Sequence, residues 1–254
     1  MPAGRILFLL AVAIGLAACA TGITTDSAGA PAMAFQNQAL NPRNGGLAIQ
    51  AGSLRPGDIL LSAGPGMQAL GVQLITTSAV SHASLVTGEG LVAEAVGEGI
   101  RQRTVAQLLD EELTVVAFRH PGVQPVHAQK MDQFVREHLG HSYNFVGVML
   151  QAPFSLERRL CELPLVPAAV RDACIQGVAA IQLGAGRNDR FFCSQFVLEA
   201  YRRAGLPLTD ADPRLASPGD LLHMREGDVP SIRIHQALQY VGHLKFQAPP
   251  VQAQ

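Results

Sequence analysis

The chain has no tryptophan, three tyrosines and a charged fraction of 15% over 254 residues. Few aromatic rings leave little for stacking on sugars, so glycan recognition is not favoured. Nineteen Lys and Arg face twenty Asp and Glu, for a formal charge of −1. No basic block exceeds two adjacent residues, so nucleic-acid binding lacks its electrostatic footprint. The chain shows no Walker loop, dinucleotide fingerprint or internal repeat. No apolar run reaches the ~20 residues that a membrane-spanning helix needs. No histidine pairs with Cys or Asp at a zinc spacing, and neither metal nor cofactor is expected.

The N-terminus has an order of its own. Arg5 precedes an almost wholly apolar run from Ile6 to Leu16, and Leu16-Ala17-Ala18-Cys19 follows. A basic start, a short apolar stretch and small residues before a cut describe a secretory signal over 1–18. The tetrapeptide resembles a bacterial lipobox, which implies diacylglycerol on Cys19 as the first mature residue. Ala20, rather than Asp, implies outer-membrane sorting in enteric lipoproteins. The expected location is the bacterial cell envelope, lipid-anchored through Cys19, facing the periplasm at the outer membrane. Residues 19–50 are rich in Ala, Gly, Thr, Asn and Gln without a sustained period, and read as a flexible tether. Residues 51–246 suit one domain, and 247–254 a disordered tail.

Within the domain, strands come first. Ile59–Ser62 is a short apolar strand after the Pro56-Gly57 turn, and Met67–Thr77 has helical spacing. Ser81–Thr87 and Leu91–Val96 form a hairpin around Gly88-Glu89-Gly90. Ile100–Arg103 is another strand, Thr104 caps a helical turn over Val105–Asp110, and Leu113–Phe118 is β-rich. Lys130–Leu139 is helical and stops at Gly140. Leu206–Asp220, with three prolines, reads as a loop, and Ile232–Phe246 as the last ordered piece. This order points to an α+β fold with an antiparallel sheet or barrel and segregated helices.

The chemistry centres on Phe191-Phe192-Cys193-Ser194-Gln195-Phe196-Val197. Phe196, Val197, Ala200, Tyr201 and Ala204 recur along one helix face, and Gly205 and Pro207 end it. Cys193 therefore lies in the first turn, where unpaired N–H groups and the helix dipole favour a thiolate. A buried core cysteine is the competing reading. Cysteine chemistry needs a base and a group that orients it. His82 and Glu94 lie on the two strands of the hairpin, roughly opposite each other. Cys161 and Cys174 bracket a short proline-containing segment. They are either a disulfide that leaves Cys193 as the odd thiol, or unpaired, and geometry decides.

These motifs carry a resemblance. Gly57-Asp58-Ile59-Leu60, Ser81-His82-Ala83-Ser84-Leu85-Val86, Val92-Ala93-Glu94-Ala95 and Phe192-Cys193-Ser194-Gln195-Phe196-Val197, in that order, resemble the circularly permuted papain-fold amidases related to NlpC-type cell-wall hydrolases, in their YiiX-like branch. In the permuted group the histidine precedes the cysteine, as here. The resemblance implies Cys193 as nucleophile, His82 as base and Glu94 as the third member. It also implies Tyr143, in Tyr143-Asn144-Phe145, as a substrate or oxyanion group, with Ser81 and Gln195 lining the cleft. The implied activity is amide hydrolysis through a thioester, with peptidoglycan peptides as the first substrate to consider. The alternatives are a lipid-directed acyl hydrolase or acyltransferase, and a non-catalytic envelope binding lipoprotein. Residues 151–189 match nothing in the family pattern.

Overall fold

The computed structural model describes residues 21–25, 29–35, 46–65, 78–141, 161, 170, 173–174, 192–225 and 232–246. The expected signal, the tail and the helix at Met67–Thr77 lie outside these residues. The segment expected to lack regular structure carries two short strands, β1 (Thr21–Thr25) and β2 (Pro31–Phe35), paired antiparallel.

The domain is built on β3 (Ile59–Ala63), β4 (His82–Gly88), β5 (Leu91–Val96), β6 (Gly99–Thr104), β7 (Thr114–Arg119) and β8 (Gln239–Lys245). They form one antiparallel sheet in the order β6-β5-β4-β3-β7-β8. A closed barrel was one expectation, but the sheet is open, with β6 and β8 at opposite ends of the order. Residues before the domain occupy the outer edge of β8. Ala48 makes a parallel bridge to His243, Ile49 N–H donates to His243 C=O at 2.9 Å, and His243 N–H donates to Leu47 C=O at 2.7 Å. Covering an edge in this way removes a template for unwanted strand pairing. Residues 47–49 are thus hydrogen-bonded to the sheet ahead of the expected domain start at residue 51.

Strand periodicity divides the residues between two faces. Ile59, Leu61, Ala83, Leu85, Ala93, Ala95, Val116 and Phe118 face the larger core, where α2 (Pro125–His138) and α3 (Cys193–Ala204) pack. Leu60, Val86, Val92, Val115 and Ala117 face a smaller core closed by Val105 and Leu108 of α1 (Val105–Glu111). All five residues of β3 are buried, as a central strand covered on both sides requires. Full burial of each large apolar side chain contributes roughly 1.5–3 kcal/mol, and Phe196, Val197 and Tyr201 of α3 are all completely buried.

Helix ends follow local chemistry. Thr104 caps α1 in a capping box with Gln107, whose backbone N–H donates to Thr104 Oγ1 at 3.1 Å. Helix α2 begins at Pro125, earlier than its apolar spacing indicates, because proline suits a first helical position. Helix α3 ends at Gly205, φ +84°, with Leu206 N–H on Tyr201 C=O and Gly205 N–H on Arg202 C=O. That is the Schellman arrangement, in which glycine carries the left-handed residue without steric cost. The stretch 206–220, expected as a loop, holds a 3-10 turn (Pro213–Leu215) and α4 (Pro218–His223). Ser217 and Asp220 make a reciprocal capping box there. Ser-x-x-Asp was the readable signal, and the prolines hid it.

Candidate active site

Cys193 is the first residue of α3, 7% exposed, and is the free cysteine among the described residues. The first helical bond runs from Phe196 N–H to Phe192 C=O at 2.9 Å. The N–H groups of Cys193, Ser194 and Gln195 thus precede the ladder, and no side chain caps them. Gln195 Oε1 accepts from Phe192 N–H at 3.4 Å. Ser194, completely buried, donates to Ala216 C=O at 2.6 Å and ties the first turn of α3 to the strap before α4.

His82 opens β4 with its side chain 16% exposed. Its imidazole hydrogen-bonds to Glu94, and Cys193 lies close enough to raise its pKa. Nε2 lies 2.8 Å from Glu94 Oε2, so Nδ1 is the ring nitrogen that Glu94 does not engage. The strand register differs from the expected pairing. Leu85 pairs with Ala93 and Val86 with Val92, so Ser84 falls opposite Glu94 and His82 reaches it diagonally. The cause is at the turn. Glu89 (φ +53°) and Gly90 (φ +72°) form a two-residue loop closed by the Gly88–Leu91 pair, with a bulge between Val86 and Gly88. Face parity survives the offset, and the diagonal is within reach of long side chains.

Glu94 is completely buried and carries the densest polar network of the sheet. Arg101 Nε donates to Oε1 at 2.9 Å. Arg103 Nη2 donates to Oε2 at 3.2 Å, and its Nε lies 2.8 Å from Oε1. Glu111, at the end of α1, takes Arg103 Nη1 from the other side. Burial alone opposes ionisation of Glu94, but the hydrogen bond and charge of His82, with Arg103 and Arg101, bring its pKa down to about 2. Burial likewise opposes a charged His82. Its interactions with Cys193 and Glu94 outweigh that and push it up to about 10. A thiol beside such an imidazole can pass its proton to it, with a buried carboxylate behind to hold the cation.

The remaining expected site residues are placed as follows. Ser81, buried, continues the β3–β4 ladder through its N–H to Ser62 C=O at 2.8 Å. Tyr143 and Cys19 lie outside the described residues. Cys161 and Cys174 are joined in a disulfide, Cα atoms 5.6 Å apart. Gly57 and Asp58 serve the scaffold: Asp58 accepts Arg119 Nε at 2.7 Å and Nη2 at 2.6 Å, and Gly57 C=O accepts the Tyr201 hydroxyl. Among the described residues no three His, Cys, Asp or Glu side chains converge as metal ligands.

With the geometry in hand, similarity to known proteins places the chain. Over 217 residues it is 36% identical to the probable lipoprotein peptidase YaeF of Escherichia coli K12, an alignment covering 84% of this chain and 79% of YaeF. The chain belongs to the YaeF family. No family model matches it. The crystal structure of the metalloprotein yiiX from Escherichia coli O157:H7 aligns with 77% of this chain and 99% of its own, at 19% identity and a TM-score of 0.45.

In this YaeF-family chain, sequence reasoning missed Arg101 and Arg103, the two arginines on Glu94. A signal for them existed. Residues 101 and 103 alternate on β6, and β6 pairs with β5 through Glu94↔Arg101, so both point to the face of Glu94. It also missed Ser194, whose link to Ala216 spans 22 residues and has no local signature.

Proposed function

We propose that the protein is a cysteine peptidase of the bacterial cell envelope, tethered by a lipid on Cys19 and folded as a permuted papain-like domain. One observation carries the reading: Cys193 at a helix start is near enough to His82 to raise its pKa, and His82 is hydrogen-bonded to buried Glu94. The name of the relative, a probable lipoprotein peptidase, supports a peptidase and a lipid anchor. The order of a histidine strand before the cysteine helix agrees with the permuted arrangement.

In this mechanism Cys193 attacks the amide carbonyl as thiolate while His82 holds the proton. The helix-start N–H groups, that of Cys193 among them, receive the developing oxyanion. His82 gives its proton to the leaving amine, and a thioester forms. Water then adds, losing a proton to His82, and the acid leaves. Glu94 keeps the imidazole oriented and charged throughout. Stem peptides of peptidoglycan are the substrates nearest to such an anchor.

The test incubates the full-length protein and Cys193→Ala with purified peptidoglycan peptides and, separately, with acyl-lipids. Release is read by mass spectrometry. Freed amines from peptide with wild type, reduced at least about a thousand-fold in the variant, are the expected result. Freed fatty acid alone would redirect the assignment to lipids, and equal release by both proteins would remove Cys193 from the chemistry.

A further inference from the structure

Six large apolar side chains are exposed among the described residues, and three of them gather at one edge of the sheet. Leu47 is 64% exposed, Tyr240 42% and Phe246 45%. Single exposed hydrophobics are ordinary, whereas a cluster marks a contact surface. His243, on β8, is the hub of this one. Its N–H donates to Leu47 C=O, the Tyr240 hydroxyl lies 2.5 Å from its Nδ1, and the Phe246 ring stands edge-on to its ring with centroids 6.1 Å apart. A side chain at Gly46 would collide with the Tyr240 hydroxyl and the His243 ring, so the incoming chain lies tight against the same group.

Charge singles out the same edge. None of the twenty Asp and Glu falls in 27–57 or in 229–254, the two stretches of chain that meet there. The charged side chains of those stretches are Arg43, Arg55, Arg233 and Lys245, all basic. An apolar, aromatic surface bordered by cations and free of carboxylates suits the headgroup region of an anionic bilayer.

The path of the chain brings this edge to the lipid. Thr21 pairs with Phe35 across the β1–β2 hairpin, so the chain returns beside Cys19 before it sets out for the domain. From Phe35 to Leu47 it then spans at most ~40 Å, at the reach of a fully extended backbone. The domain is therefore held close to whatever Cys19 inserts into, and it is held by the β8 edge.

We propose that the β8 edge, with Leu47, Tyr240 and Phe246, docks on the surface of the bilayer that holds the lipid of Cys19. The proposal rests on the Cys19 anchor stated above. Docked in this way, the domain stands with β8 at the membrane and β6, at the other end of the strand order, about 24 Å away at the usual spacing between strands. Leu139, exposed, marks that far end, since Gly140 N–H donates to Ile100 C=O of β6 at 2.8 Å.

The chain has no tryptophan, so single tryptophans report their own surroundings. Full-length Leu47→Trp, Phe246→Trp and Leu139→Trp are reconstituted in vesicles of phosphatidylethanolamine and phosphatidylglycerol, with and without bromine on the acyl chains, and bromine quenching of the emission is read. Flotation with the vesicles and the intact mass at Cys19 report the anchor in the same samples. Leu47→Trp and Phe246→Trp are expected to lose most of their emission to bromine, and Leu139→Trp to keep its own. All three carry the same ring, so the affinity of tryptophan for interfaces does not separate them. Floating protein with no quenching at 47 and 246, as when a second copy covers the edge, overturns the proposal. Equal quenching at all three sites does so too, because no face is then preferred. Protein that stays in solution without lipid on Cys19 overturns the anchor itself, so the two failures are distinguishable.

Discussion

At pH 7 His82 is charged because Cys193 and Glu94 hold its proton against burial, and that fixes how stability responds to pH. The pKa of His82 rises from 6.5 to about 10 on folding. A raised folded pKa contributes stability fully below the unfolded value, and the contribution is lost as pH climbs toward the folded value. Glu94 falls from 4.5 to about 2, so its contribution is present above 4.5 and lost toward pH 2. Both are complete only between about pH 4.5 and 6.5. His82→Gln removes the alkaline part. Its stability deficit against wild type, measured by urea denaturation, should be largest below pH 6.5 and shrink steadily toward pH 10. A deficit independent of pH would mean that the imidazole is neutral in the fold.

The β4–β5 hairpin shows how one element sets the site. Its turn needs two residues with positive φ, and the sequence supplies Glu89 at the first. A non-glycine side chain in the left-handed region costs roughly 1–2 kcal/mol, which Asn relieves in part. Glu89→Asn is therefore expected to stabilise the protein by about 0.5–1 kcal/mol in urea denaturation, with Cys193 alkylation unchanged. A loss of stability would show that Glu89 makes a compensating contact. The bulge beside this turn decides which residues sit opposite Glu94, and so makes the His82 contact diagonal.

Across the whole molecule, the helix that carries Cys193 is bolted to the start of the domain. Tyr201 sits two turns after Cys193, completely buried, and donates to Gly57 C=O, 144 residues away in sequence. Burial raises the Tyr201 pKa well above the ordinary phenol range, so it remains a donor. The bond holds α3 against the turn that opens β3, the strand whose Ser62 lies opposite His82. Tyr201→Phe leaves a buried carbonyl unpaired and should cost about 1–3 kcal/mol in urea denaturation. A cost near zero would indicate that the aromatic packing alone positions the helix.

Much of this was legible from local chemistry. The period of α3, its glycine stop and the position of Cys193 in its first turn depend on residues within a few places of one another. The hairpin that presents His82 and Glu94 on one face follows from alternation, which a two-residue offset does not disturb. The rest depends on contacts that local sequence does not encode. An open sheet needs the chain before residue 51 to cover β8. The buried charge of Glu94 needs Arg101 and Arg103, delivered by the β5–β6 register. The Cys161–Cys174 disulfide needed coordinates, because spacing along the chain is compatible with several pairings. Sequence alone determined which chemical groups this protein carries and on which elements. The tertiary structure decided which of them touch, because contact between strands and helices is set by register, bulges and packing summed over the whole domain.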